Sequence, residues 1–264
     1  MIAVILLVLC SAVVAEAQAT FGRPAILRDI GIEQKMGAQA PVDLGFTDEA
    51  GRSVKLRKYL GKPVILALVY YRCPSLCNMV LDGVLRSVKG LKMTAGNEYD
   101  VLAVSFDPHE TPALAAAKKE SYVKSYGRAG SETGWHFLTG PESSSKSLAD
   151  AIGFRYTYDK ASSQYAHASA IIILTPEGRV ARYFYGIDYP ARDVRLGLVE
   201  ASNNRIGSPV DQVLLFCFHY DASTGKYGLM IVNILRAAGV LTAGALATFM
   251  IVMFRRDYRD EVKS

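Results

Sequence analysis

The sequence predicts an α/β domain, a sheet with flanking helices and a hairpin at one edge, joined to one C-terminal transmembrane helix. Three observations predict it. Short apolar runs alternate with stretches whose apolar residues recur at helical spacing. One run, PVILALVYY at 63–71, is continuously apolar, as suits a strand buried on both faces, and YDVLAVSF at 99–106 reads as a second buried strand. Near the C-terminus, AAGVLTAGALATFMIVMF at 237–254 runs 18 residues without a charge, long enough to span a bilayer as a helix.

The elements follow in order. The opening MIAVILLVLCSAVVA, with A-x-A patterns at Ala15, Ala17 and Ala19, reads as a signal peptide over 1–19. Cys10 lies in its apolar core and is expected to be removed with it. Residues 20–35 form a tether and 36–205 the domain. VDLGFTDEAGRSVKL at 42–56 reads as a hairpin turning at Asp48 to Gly51. The strand 63–71 leads into a helix over 75–91, and the strand 99–106 into a helix over 111–127, with Pro112 near its start and Gly127 at its end. WHFLTG at 135–140 is a third strand, and 143–152 a short helix. SAIIILTPEGRVARYFYG at 169–186 is a hairpin turning at TPEG, and 190–204 a last helix. A juxtamembrane segment at 206–228 precedes the membrane helix, 229–254, and the tail at 255–264.

Arg255, Arg256, Arg259 and Lys263 crowd that tail and place it in the cytoplasm. The domain is then expected on the extracytoplasmic, periplasmic side of the cell (inner) membrane. Gly239, Ala243 and Ala247 recur at four-residue spacing, a stripe that fits another helix or simply faces lipid. The net charge of +5 is spread along the chain with no basic tract, which argues against a nucleic-acid partner.

Four cysteines are present, and two of them, Cys73 and Cys77, stand four apart just after the first buried strand. Pro74 suits the first position of a helix, which puts Cys73 at the helix N-terminus, where the dipole favours a thiolate. In open α/β sheets, sites form beyond the carboxyl ends of the strands. Cys73 follows one such end, Asp107 another, and His167 precedes a strand that, if antiparallel, begins on the same rim. Side chains i and i+4 on a helix stand about 5–6 Å apart at Cβ, wider than the ~3.5–4.5 Å of a disulfide. The spacing therefore tolerates a labile disulfide and suits a bridging metal better. Two thiolates and an imidazole form a soft set that selects copper, whereas structural zinc wants a fourth ligand. Asp107 and His109 are the candidates for a fourth, and both match a soft metal less well. Asp107 could also cap the following helix. His109 reads as exposed, His136 as strand packing, and Tyr70 and Tyr71 as packing, with Tyr71 able to shield the metal. Cys217 and His219 share one face of VDQVLLFCFHYD if it is extended, as a metal pair or as a core cysteine beside a satisfied histidine.

VYYRCPSLC, VLAVSFDPHETP, WHFLTG and YAHASAIIILTPEGRV, spread over about 30–205, together resemble the Sco/SenC family. These are thioredoxin-like copper proteins of cytochrome c oxidase assembly. The resemblance implies a thioredoxin-like sheet, copper as the bound metal, Cys73, Cys77 and His167 as its ligands, and Asp107 as an acidic residue beside the site. Where the family pattern has a proline after the second cysteine, this chain has Asn78. The function expected is a membrane-tethered metallochaperone that delivers copper to an oxidase subunit. The alternatives are a thiol–disulfide oxidoreductase that keeps the acceptor's cysteines reduced, using Cys73 and Cys77 catalytically, and a structural adaptor docking through the membrane helix.

Overall fold

The computed structural model describes residues 29–206, 220–221, 226–227 and 229–261. The signal peptide, Cys10, Cys217 and His219 lie outside the described residues. The chain divides into two units, Met1–Gly207 and Ser208–Ser264.

The first unit is built on a five-stranded sheet of order β10-β9-β4-β5-β6. Its strands are β4 (Val64–Val69), β5 (Asp100–Ser105), β6 (Trp135–Leu138), β9 (Ala170–Leu174) and β10 (Val180–Tyr185). Every residue of β4, β5 and β9 is buried. Successive strand side chains point to opposite faces, so the sheet centre is covered on both sides. β4 pairs with β5 in parallel, Val64 against Asp100 through Val69 against Ser105, and β5 with β6 likewise. β9 runs antiparallel to β4, Leu174 against Val64, so it begins at the edge where β4 and β5 end. The expected common rim therefore exists.

Among the described residues this unit has four α-helices: α1 (Leu76–Lys89), α2 (Pro112–Tyr126), α3 (Glu142–Ala151) and α4 (Ala191–Ser202). α1 and α4 pack together, and α2 packs over β6. α2 opens on a Thr111 cap whose Oγ1 accepts from Leu114 N, and Gly127 closes it in the left-handed region at φ 70°. Asp107 is therefore not its cap. Gly83 lets α1 approach the segment before α4, because a Cβ there would sit 2.2 Å from Ile187 O. The hairpin β2 (Gly45–Thr47) to β3 (Ser53–Lys55) turns at Asp48, which accepts from the backbone of Ala50 and Arg52.

A second, three-stranded sheet was not expected: β1 (Gly31–Ile32), β7 (Phe154–Asp159) and β8 (Gln164–His167), in the order β1-β7-β8. It draws residues 31–32 of the expected tether into the domain. It also places His167 at the end of a strand opposite Tyr156 rather than in a loop.

The second unit holds a two-stranded pair, Tyr220–Asp221 with Lys226–Tyr227, and the 33-residue helix α5 (Leu229–Glu261). Its described side chains, residues 238–253 and 255, are all exposed. Among the described residues, no helix is long and apolar enough to cross a membrane.

Candidate metal centre

The strand β4 ends at Val69, and the segment that follows turns sharply through Tyr70 to Ser75 before α1 begins. Cys73 lies in this loop, not on the helix as the Pro74 argument expected. Ser75 is the N-cap residue, with φ −141° and ψ −93°, and its side chain caps nothing. The cysteine sulfur takes over that work: Cys77 N donates to Cys73 Sγ at 3.4 Å. The i, i+4 spacing on one helix therefore does not govern this pair. Both cysteines are free thiols and both are buried.

Cys77 sits in the first turn of α1 at 1% exposure. Its sulfur accepts from Tyr70 N at 3.3 Å and lies 3.1 Å from His167 Nε2. His167 reaches it from 90 residues away in sequence. The other ring nitrogen, Nδ1, is 2.8 Å from Ala168 O. A carbonyl only accepts, so Nδ1 carries the proton and Nε2 presents a bare lone pair to the sulfur. The ring packs against Phe106 at 5.3 Å between centroids and against Tyr70 at 6.4 Å. Burial holds this imidazole below the ordinary histidine pKa, only partly opposed by the Ala168 bond.

The two thiols are shifted in opposite directions. At Cys73, burial works to raise the pKa, but the backbone N–H groups of Cys77 and Ser75 and the Tyr70 hydroxyl outweigh it and bring it down. At Cys77, burial dominates and pushes the pKa well up, with the Cys73 and Glu110 charges adding to it.

The remaining expected residues divide. Asp107 makes no hydrogen bond to Cys73, Cys77 or His167. Its Oδ1 instead accepts from His109 N at 2.9 Å and faces His109 Nδ1 at 3.0 Å. Both border a 550 Å³ depression with Tyr70, Arg72 and Pro74, at the mouth of the site rather than in it. His109 is exposed, as expected. His136 packs on Tyr59 at 4.5 Å, and burial pushes its pKa down to about 4. Tyr71 shields nothing: its hydroxyl donates to Ala103 O and Leu138 O inside the sheet. Tyr70 contacts both sulfurs instead, Cys73 through its hydroxyl and Cys77 through its N–H.

One acid was missed. Glu110 is 6% exposed and accepts three bonds, from Tyr71 N at 2.8 Å, Arg72 N at 2.7 Å and Ser105 Oγ at 2.6 Å. It clamps the backbone just ahead of Cys73 to the end of β5. Nothing in DPHETP separates this glutamate from an exposed turn residue, because its partners are backbone groups remote in sequence. Among the described residues, no three His, Cys, Asp or Glu side chains form an assembled metal cluster.

A family model described as SCO1/SenC matches residues 34–195. The chain belongs to the SCO1/SenC family. Solved structures agree with the thioredoxin-like fold. A candidate electron transfer protein from Aquifex aeolicus VF5 is 26% identical at a TM-score of 0.56, over 64% of this chain and 95% of that one. ScoI of Arabidopsis thaliana, solved with copper bound, is 19% identical at 0.50, over 61% and 96%. BsSco, a member of the Sco family of cytochrome c oxidase assembly proteins, is 20% identical at 0.51, over 65% and 97%. No curated protein matches the chain.

The thiol asymmetry of this SCO1/SenC domain has a direct readout. With rising pH, iodoacetamide labels Cys73 first, on the acid side of an ordinary thiol, and Cys77 only on the alkaline side. Peptide mass spectrometry across a pH series checks the order. Labelling of Cys77 before Cys73 contradicts it.

Proposed function

We propose that this chain is a membrane-tethered copper carrier that delivers copper to the copper site of cytochrome c oxidase during its assembly. One observation carries the reading: His167 Nε2 aims a bare lone pair at Cys77 Sγ from 3.1 Å, beside a second sulfur held on the Cys77 N–H. Cys73, Cys77 and His167 are the ligands in this reading. Two thiolates and an imidazole are soft donors that suit Cu(I). Copper is cargo here, and its affinity falls with pH as protons compete for the sulfurs. Cys73 gives up its proton readily, so it engages the ion first. Cys77 loses its proton as the ion arrives. The donors stand adjacent but unassembled, which suits an open, low-coordinate ion that an acceptor's ligands can attack.

Two relatives support the same reading: ScoI of Arabidopsis thaliana was solved with copper bound, and BsSco is a member of the Sco family of cytochrome c oxidase assembly proteins. The tether in this reading rests on the sequence alone, on the stretch 237–254, which carries no charge and is followed by Arg255 and Arg256. The domain then works on the extracytoplasmic side of the membrane, against a copper-accepting oxidase subunit. The test is a titration of the reduced full chain with Cu(I) against a competing chelator. One equivalent held per chain is expected. Failure to retain copper overturns the proposal.

A second reading is favoured by the opposed thiol shifts, a thiol–disulfide oxidoreductase acting on the acceptor's cysteines. The Cys73 thiolate attacks the acceptor disulfide and forms a mixed disulfide. Cys77 then displaces the second acceptor thiolate, leaving Cys73–Cys77 oxidised and the acceptor pair reduced by two electrons. The two readings share the reduced pair as the active form.

A further inference from the structure

The position where the family pattern has proline carries an interaction that a proline could not make. Asn78 Nδ2 donates to Cys73 O at 2.9 Å. Lys118 Nζ, reaching over from α2, donates to Asn78 Oδ1 at 2.6 Å. An ammonium only donates, so it fixes which end of the amide is oxygen and leaves Nδ2 facing the cysteine carbonyl. Both side chains are half-buried. Cys73 is then held by its carbonyl at Asn78, by its N–H at Tyr70 O, and by its sulfur at the N–H groups of Cys77 and Ser75 and the Tyr70 hydroxyl. The Ser75 side chain, which would ordinarily close the helix start, makes no capping bond. The start of α1 is thus closed from outside the helix.

We propose that Asn78 and Lys118 form a latch, a pair of positioning residues, that positions Cys73 for Cu(I). The latch locks the Cys73 peptide in the orientation that lays its sulfur over the N-terminus of α1, beside Cys77. It also brings one positive charge to the rim of a site that becomes anionic when two thiolates hold a monovalent ion. Outer-shell groups of this kind typically alter metal affinity about 10–100-fold. The latch opposes release as well as aiding capture, because transfer requires Cys73 to swing out to the acceptor.

The proposal rests on the carrier reading for its copper arm and on geometry alone for its second arm. In the copper arm, full chains of N78A, K118M, K118R and the N78A/K118M double variant are titrated with Cu(I) against a chelator. N78A and K118M are each expected to weaken binding by about ten-fold. The double variant is expected to lose no more than either alone, since the two act as one unit. K118R, which keeps a cationic donor, is expected to restore most of the affinity. Affinities equal to wild type in N78A, or additive losses in the double variant, overturn the latch. In the second arm, hydrogen exchange is measured on the metal-free reduced chain. The Cys77 amide, which donates to Cys73 Sγ, is expected to exchange faster in N78A while the amides of β4 and β5 are unchanged. Unaltered exchange at Cys77 overturns the latch whether or not copper binds. A wild-type chain that retains no copper, with faster Cys77 exchange in N78A, defeats the carrier reading and leaves the latch standing.

Discussion

Replacing Cys77 by serine is expected to weaken Cu(I) binding by more than ~100-fold, since loss of groups that merely support a ligand already costs about 10–100-fold. The fold should survive. A serine hydroxyl fits a site 1% exposed, can accept from Tyr70 N and can donate to His167 Nε2. What it cannot supply is a soft anionic ligand at neutral pH. His167→Ala is expected to cost less, roughly ten-fold, because two thiolates suffice for a linear Cu(I) ion and the imidazole only adds a third arm. The pH dependence separates the two variants. The folded pKa of His167 is depressed below the ordinary imidazole value of 6.5, so Nε2 stays unprotonated to lower pH than in a free histidine. The affinity gap between wild type and His167→Ala should therefore persist through pH 6.5 and close only further toward acid. Chelator competition at a series of pH values checks this. A gap that closes at or above the ordinary value would place His167 outside the copper site.

The contact between His167 and Cys77 also changes how the two functional readings are told apart. A thiol–disulfide oxidoreductase needs the two sulfurs and has no evident need for an imidazole, so loss of His167 would separate the readings if the ring stood apart from the thiols. In the structure the imidazole touches the buried thiol, and its removal disturbs thiol exchange as well as metal binding. A cell-based assay of His167→Ala therefore cannot decide. Direct metal retention can.

The rim was legible because it follows from topology alone. Two buried strands, one antiparallel return and the rule that sites lie beyond strand ends together bring Cys73 and His167 to one edge. The local detail was not legible. Cys73 was placed on a helix because Pro74 fits a first helical turn, but the chain first makes a loop, and the helix waits until Leu76. The hairpin β7–β8 escaped, although Phe154, Tyr156 and Tyr158 alternate along it as strand residues facing one side do. Its short partner and the polar link DKASSQ hid the pattern. Asp107 follows directly on the strand end, whereas nothing in the sequence singles out Glu110. The backbone sends the nearer carboxylate outward to His109 and the farther one inward to the loop. Only three-dimensional placement of backbone donors could decide between them.

That inward carboxylate yields the second large effect. Glu110→Ala would leave the N–H groups of Tyr71 and Arg72 and the Ser105 hydroxyl without their acceptor. Each buried polar group so orphaned costs about 1–3 kcal/mol, and bonds to a charged partner lie at the upper end. Water can reach Arg72 N, which is only half-buried, so the three do not simply add. A loss of about 3–5 kcal/mol follows, a large share of the stability of an ordinary domain. Glu110→Gln should cost less, about 1–2 kcal/mol. Its one remaining oxygen can keep the Tyr71 and Ser105 bonds, while its NH₂ must face the Arg72 N–H, donor against donor. Urea denaturation of the three proteins checks the order, wild type above Gln above Ala. The damage should also reach the metal. The clamp holds residues 71 and 72, immediately before Cys73, so both variants should bind Cu(I) more weakly than stability alone requires. An alanine variant as stable as wild type would mean that Glu110 does not clamp this loop.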